Sequence, residues 1–164
     1  MLLEIGNTMK SLVGFAAILV FFLASCSDIT DPSPVVVIDE KLLVNNNGWI
    51  IESSIKDDGK TKKDLFAQYA TCIADNVYIF QSNAQYSIDE GAKKCEPTDA
   101  QIKESGSWRL KGGTLTISPD RTIPYQYTIS SLALDKLVFT YLEIGSNGIV
   151  NSTTTITLKP LTGI

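Results

Sequence analysis

A succession of short β-type segments, separated by turn signals, runs through residues 48–159 and constrains the fold more than any other feature of the chain. Gly112-Gly113 and Ser146-Asn147-Gly148 are hairpin signals, and the segments beside them alternate apolar with polar residues as strands do. Only residues 63–71 have a pattern that suits a short helix. Eight strands are predicted, over residues 48–55, 77–80, 85–89, 107–111, 114–118, 123–129, 136–143 and 149–159. The sequence therefore predicts an all-β fold in which strands pair with their sequence neighbours.

An antiparallel meander of this kind has two unpaired edges unless it closes on itself. We therefore predict a small eight-stranded up-and-down barrel with one short helix, and the alternative is a two-sheet β-sandwich. The inward faces supply a core with large aromatic residues, and the candidates for core or lid positions are Trp49, Tyr86, Trp108, Tyr125, Tyr127 and Phe139. A large indole can close one end of a barrel, so both tryptophans are assigned to core and lid, with direct ligand contact as the alternative.

The N-terminal segment has the composition of an export signal. Lys10 precedes an uncharged run of 13 residues, 12–24, and Met9 is a more ordinary start than Met1 because Glu4 is unusual upstream of such a run. Thirteen helical residues extend about 20 Å, whereas a bilayer span needs roughly 20 residues. A short apolar run that ends in small residues is typical of a cleaved signal peptide, here residues 1–25.

Residues 23–26, Leu-Ala-Ser-Cys, resemble the lipobox of bacterial lipoproteins. The resemblance implies that Cys26 becomes the mature N-terminus and carries acyl chains such as palmitate, which anchor the protein in a membrane. Ser27 after the cysteine resembles an outer-membrane sorting signal, and exposure at the periplasmic face or at the cell surface stays open. A plain secretory signal beside an unrelated cysteine is the alternative.

The residues after Cys26 are polar and include Pro32 and Pro34, so residues 26–45 are predicted to be a flexible tether. Residues 46–164 then form the folded domain. Cys72 and Cys95 are the pair that remains if Cys26 is lipidated, and an envelope location permits a disulfide between them, with free buried thiols as the alternative. Closing a loop of about 24 residues would stabilise the fold by roughly 3 kcal/mol.

Composition excludes several classes of function. The chain has a net charge of −4 and no histidine, so it suits neither nucleic-acid binding nor Ser-His-Asp catalysis, and it lacks ligands for a usual zinc site. The acidic residues, Glu104 among them, are predicted to lie in turns and loops rather than on a core face beside an aromatic ring. We therefore expect no catalytic residues, no metal, no cofactor and no enzyme activity.

Several short motifs carry a family resemblance. In order they are Gly48-Trp49, Cys72, Val77-Tyr78-Ile79-Phe80, Gln85-Tyr86, Cys95, residues 106–110 (Gly-Ser-Trp-Arg-Leu) and residues 115–117 (Leu-Thr-Ile). Together they are similar to the lipocalin-like domain of Bacteroidetes lipoproteins, over residues 46–159. The resemblance implies a small eight-stranded barrel on a lipid tether, usually with an unknown ligand.

Two functions are compatible with such a barrel. The first is a membrane-anchored, non-catalytic binding or interaction module, which contacts an envelope or host protein through its loops, above all residues 90–104. The alternative is a carrier of one small apolar or amphipathic ligand. An eight-stranded barrel has room either for its own side chains or for one small ligand, so the filling of the lumen distinguishes the two.

Overall fold

The computed structural model of this protein describes residues 38–44 and 47–162, which lie within one compact unit, Val35–Ile164. The predicted signal peptide and Cys26 lie outside the described residues. The α-helix of this part of the chain, α1, covers Thr71–Ala74, and 3₁₀ turns cover Glu40–Leu42 and Phe66–Gln68. The strands are β1 Trp49–Asp57, β2 Lys62–Asp64, β3 Val77–Phe80, β4 Gln85–Asp89, β5 Ile102–Lys111, β6 Thr114–Pro119, β7 Tyr125–Leu132, β8 Leu137–Ile144 and β9 Val150–Pro160.

Eight of these strands close into an antiparallel barrel. Strands β3 to β9 pair in sequence order, and β1 closes the ring because it pairs with β3 at Trp49 and with β9 along its whole length. The short strand β2 pairs only with the last residues of β1, where Ile55 lies opposite Asp64. The predicted eight-stranded barrel is confirmed, and the sandwich alternative is excluded.

The barrel has two different ends. We call one the plug end: it contains the β3–β4, β5–β6 and β7–β8 turns and the segment 38–44. We call the other the mouth end: it contains the long β1–β3 connection (residues 58–76), the β4–β5 loop (90–101), the β6–β7 loop (120–124) and the β8–β9 turn (145–149). The long connections therefore all lie at the mouth end.

The helix predicted over residues 63–71 is wrong. The outer half of β1 extends beyond β3 and pairs instead with β2, and Leu65 N–H continues this pairing by donating to Ser54 O at 2.8 Å. The Asp64 side chain then accepts from Ala67 N–H at 3.0 Å and begins the 3₁₀ turn. Pairing with β1 thus holds this part of the chain extended, although its sequence pattern suits a helix. Within the described residues the α-helix forms further along, at α1.

The segment 38–44, predicted to belong to the tether, packs against the barrel. The Asp39 side chain accepts from Lys41 N–H at the start of the 3₁₀ turn, and Leu43 is fully buried at the plug end. Leu43 O accepts a hydrogen bond from Trp49 Nε1 at 2.9 Å. The packed domain therefore begins at or before residue 38 rather than at 46.

The disulfide between Cys72 and Cys95 is present, with their Cα atoms 5.0 Å apart. It joins α1 in the β1–β3 connection to the β4–β5 loop, across the mouth end. The loop predicted over 90–104 is shorter than expected because β5 already begins at Ile102. Within the described part of the chain, no helix is long and apolar enough to cross a membrane.

Candidate functional site

The plug half of the lumen is filled by the protein's own side chains. The inward-facing residues that fill it share near-complete burial, and the most buried are Leu43, Trp49, Leu115, Leu137 and Leu158. Both indole N–H groups have backbone acceptors: Trp49 Nε1 donates to Leu43 O, and Trp108 Nε1 donates to Gln81 O at 3.1 Å. Both tryptophans are thus held as core and lid at the plug end.

The mouth half is lined by tyrosines and is only partly filled. All six tyrosines of the chain lie here or just below, at positions 69, 78, 86, 125, 127 and 141. Tyr86 is buried, with 2% exposure, whereas the other five are only partly buried although they lie against the core or face inward. This half of the barrel is therefore more accessible to solvent than the plug half.

The aromatic rings of this half form a connected wall. The Tyr127 ring lies 4.3 Å from Phe139, 5.6 Å from Tyr125 and 5.9 Å from Tyr141, measured between ring centroids. Edge-on and tilted packing of this kind leaves ring faces as apolar contact surface. The structure therefore places Phe139, Tyr125 and Tyr127 in the wall of the open half and Tyr86 beneath it.

A tyrosine hydroxyl is bonded to a carboxylate at the mouth half. The Tyr125 hydroxyl donates to Glu104 Oε1 at 2.7 Å. Burial raises the pKa of Tyr78 to about 12 and also raises the pKa of Tyr86, Tyr125 and Tyr127, and the negative charge of Glu104 adds to the rise in all four. The phenols are neutral at physiological pH, and Glu104 is close enough to act on all of them.

A second polar group lies at the opposite side of the mouth. Lys56 Nζ forms an ion pair with Glu143 Oε2 at 2.5 Å, and Ser152 Oγ donates to the same oxygen at 2.9 Å. The hydrogen bond between them is the main cause that raises the pKa of Lys56, and it likewise lowers the pKa of Glu143. The two charges therefore compensate each other.

One hydroxyl group of the mouth half has no partner. Thr154 is fully buried on β9, yet its Oγ1 makes no hydrogen bond within the described residues. Leaving a buried hydroxyl unpaired costs about 1–3 kcal/mol. Because this oxygen is closed off from solvent, it belongs to the packed wall of the barrel rather than to a surface that a ligand would contact.

The β1–β3 connection partly covers the mouth. The rings of Phe66 and Tyr69 pack edge-on at 5.7 Å, and the Tyr69 hydroxyl donates to Ser54 Oγ at 3.3 Å. The Cys72–Cys95 disulfide fixes this cover to the β4–β5 loop. Beside it, a cleft of about 700 Å³ lies between the β4–β5 and β6–β7 loops and has Glu104 in its lining.

Sequence reasoning missed Glu104, which was assigned to a loop away from any aromatic side chain. The structure places it in β5, facing inward with Gly106 and Trp108, because its strand pairing with Ile88 extends β5 toward the mouth. The alternation that places Trp108 inward also places Glu104 inward, so a longer predicted strand would have found it. Among the described residues, no cluster of three or more His, Cys, Asp or Glu side chains is suited to hold a metal ion.

Comparison with known proteins agrees with this architecture. The family model of the lipocalin-like domain matches residues 47–139, which is more than half of the 164-residue chain. The chain therefore belongs to the family of lipocalin-like domains, whose barrel suggests a binding module. No curated protein matches the chain.

Proposed function

We propose that this protein is a bacterial outer-membrane lipoprotein, anchored through lipid on Cys26, whose barrel binds one small amphipathic molecule without catalysing a reaction. The observation that carries the binding role is the contrast between the two halves of the lumen. The plug half is filled by fully buried side chains, whereas five tyrosines at and near the mouth half stay partly accessible. Binding sites for small molecules are typically apolar concavities with a few placed polar groups, as here.

The anchor itself is proposed from the lipobox-like residues 23–26. Residues 38–44 pack at the plug end, so the described chain enters the barrel at the end opposite the mouth. Two or more acyl chains anchor a protein stably, whereas one chain gives only marginal binding.

The anchor is tested by expressing the full chain and a Cys26→Ser variant in a bacterium with an outer membrane. We expect mass spectrometry to find the mature wild-type N-terminus at Cys26 with added acyl chains, in the membrane fraction, and the variant to lack them. An unmodified Cys26, or cleavage at another position, would contradict the lipoprotein assignment.

The binding role is tested by native mass spectrometry of the full-length protein, released from its own membranes in an uncharged detergent. We expect an adduct that is neither detergent nor lipid anchor. Tyr141→Ala, which removes a partly accessible ring from the wall, should reduce its occupancy, and Leu142→Ala on the outer face of the same strand is the matched control. A wild-type protein that carries no adduct and binds no added small molecule would refute the binding role.

A protein-interaction role is the second candidate, and exposed apolar side chains at the mouth end favour it. Leu142 and Ile144 on β8 and Ile149 and Val150 beside the β8–β9 turn are each about half exposed or more. Contiguous exposed apolar surface often marks an interaction site. A photocrosslinking residue at position 144 should then capture one consistent protein in living cells, whereas the same residue at exposed position 134, at the plug end, should not. Equal labelling from both positions would exclude this role.

A further inference from the structure

We infer that the mouth half of the lumen selects a small organic cation, an amine carried on an apolar body, with Glu104 as its counter-ion. This inference rests on the proposed binding function and specifies the chemistry of its ligand. The juxtaposition that carries it is an unpaired carboxylate at the edge of a tyrosine wall.

The charge balance of the lumen is negative. Lys56 and Glu143 form an ion pair and compensate each other. Glu104 has no cationic partner within ion-pair distance among the described residues, and its one side-chain hydrogen bond comes from the neutral Tyr125 hydroxyl. Its second oxygen, Oε2, is therefore available to accept a hydrogen bond from a ligand.

The wall suits a cation as well as an apolar group. Ring faces of tyrosine attract ammonium groups electrostatically, by more when the site is shielded from water. The phenols remain neutral in the site because burial disfavours their ionised form. The partly accessible side chains of Tyr127 and Tyr141 carry hydroxyl oxygens that can accept from N–H donors.

The cleft next to Glu104 favours the same sign of charge. The charged side chains that line the cleft beside the mouth are four acidic and two basic ones, namely Glu90, Asp99, Lys103, Glu104, Asp120 and Arg121. One of the two basic residues, Lys103, is already paired with Glu90, which is almost fully buried, at 3.4 Å. A cleft with an excess of negative charge concentrates cations and slows the entry of anions. An anionic amphiphile such as a fatty acid would meet no unpaired cation among the described residues that face the lumen.

The test compares three probes with similar bodies and different charge, namely 2-phenylethylamine, 2-phenylethanol and 3-phenylpropionate. They are titrated calorimetrically into the full-length protein in uncharged detergent micelles, with protein-free micelles as the blank. We expect the amine to bind about tenfold more tightly than the alcohol or the acid, since a charge-assisted hydrogen bond is roughly twice as strong as a neutral one.

The decisive variant is Glu104→Gln, which keeps an acceptor for Tyr125 and removes the charge. It should weaken amine binding about tenfold and alcohol binding much less, and an unchanged midpoint of thermal unfolding shows that the variant is folded. Glu52→Gln removes one charge from the exposed outer face of β1 and should change nothing.

The outcomes separate the inference from the proposed function. If the alcohol or the acid binds as tightly as the amine, or if Glu104→Gln weakens all three equally, the cation selectivity is wrong although the lumen still binds ligands. If no probe binds the wild-type protein and it carries no adduct, the binding function fails, and the inference fails with it.

Discussion

The segment upstream of the barrel offers a sharp test of how the plug end is built. Leu43 is fully buried there, and its carbonyl oxygen holds the Trp49 indole. Leu43→Ala removes three carbon atoms, which is about 2 kcal/mol of transfer free energy at roughly 0.8 kcal/mol per methylene. The cavity left behind raises the expected loss of stability to about 3 kcal/mol. For a domain of this size the midpoint of thermal unfolding should fall by about 10 °C.

The assay is urea and thermal unfolding of the full-length protein, followed by tryptophan fluorescence. Leu134→Ala is the matched control, because Leu134 lies in the β7–β8 turn at the same end but is 81% exposed. The control should change the free energy of unfolding by less than about 0.5 kcal/mol. If the two variants are equally stable, residues 38–44 do not close the barrel, and the domain begins later in the chain.

Four further results are expected. Replacing Cys72 and Cys95 by serine should cost about 3 kcal/mol, from the closed loop of sequence separation 23, and make unfolding insensitive to reductant, whereas Cys26→Ser should keep the sensitivity. Gly106→Ala would place a Cβ 2.3 Å from Ser118 O and should cost about 1–3 kcal/mol in urea unfolding, while Ser107→Ala on the outer face should cost little. Thr154→Val should leave the protein equally stable or more stable, because the lost hydroxyl is buried and has no protein partner, and a clear loss of stability would show that this hydroxyl is hydrogen-bonded. The contribution of Tyr78 to the free energy of unfolding should be fully present below pH 10 and be lost as the pH rises toward 12, because Tyr78 retains its proton in the native state while the unfolded chain loses it. This contribution is about 3 kcal/mol, and urea unfolding with tyrosinate absorbance across that pH range measures it.

The strands were predictable because each has one face in the core. The alternation around Tyr125 and Tyr127 identified β7, and the Gly112-Gly113 turn identified the β5–β6 hairpin. The closed barrel was predictable because β1 and β9 would otherwise be the two unpaired edge strands of the sheet.

The parts that sequence reasoning missed depend on partners distant in the chain. Residues 62–64 became a strand because the outer half of β1 lacked a neighbour, which no local pattern shows. Leu43 is one apolar side chain in a polar segment, and only the barrel end gives it a place to be buried. Glu104 is drawn into β5 by its pairing with β4, and the open space beside it depends on how the facing side chains fill the lumen.

Nuclear magnetic resonance can show whether the barrel is filled at one end and accessible to a ligand at the other. The full-length protein is labelled on its tyrosine rings and tryptophan indoles and titrated with 2-phenylethylamine. We predict that the resonances of Tyr125, Tyr127 and Tyr141 shift in a saturable way, while the indole N–H signals of Trp49 and Trp108 stay in place. Shifts confined to the indoles, or no saturable shift of any tyrosine, would contradict the account.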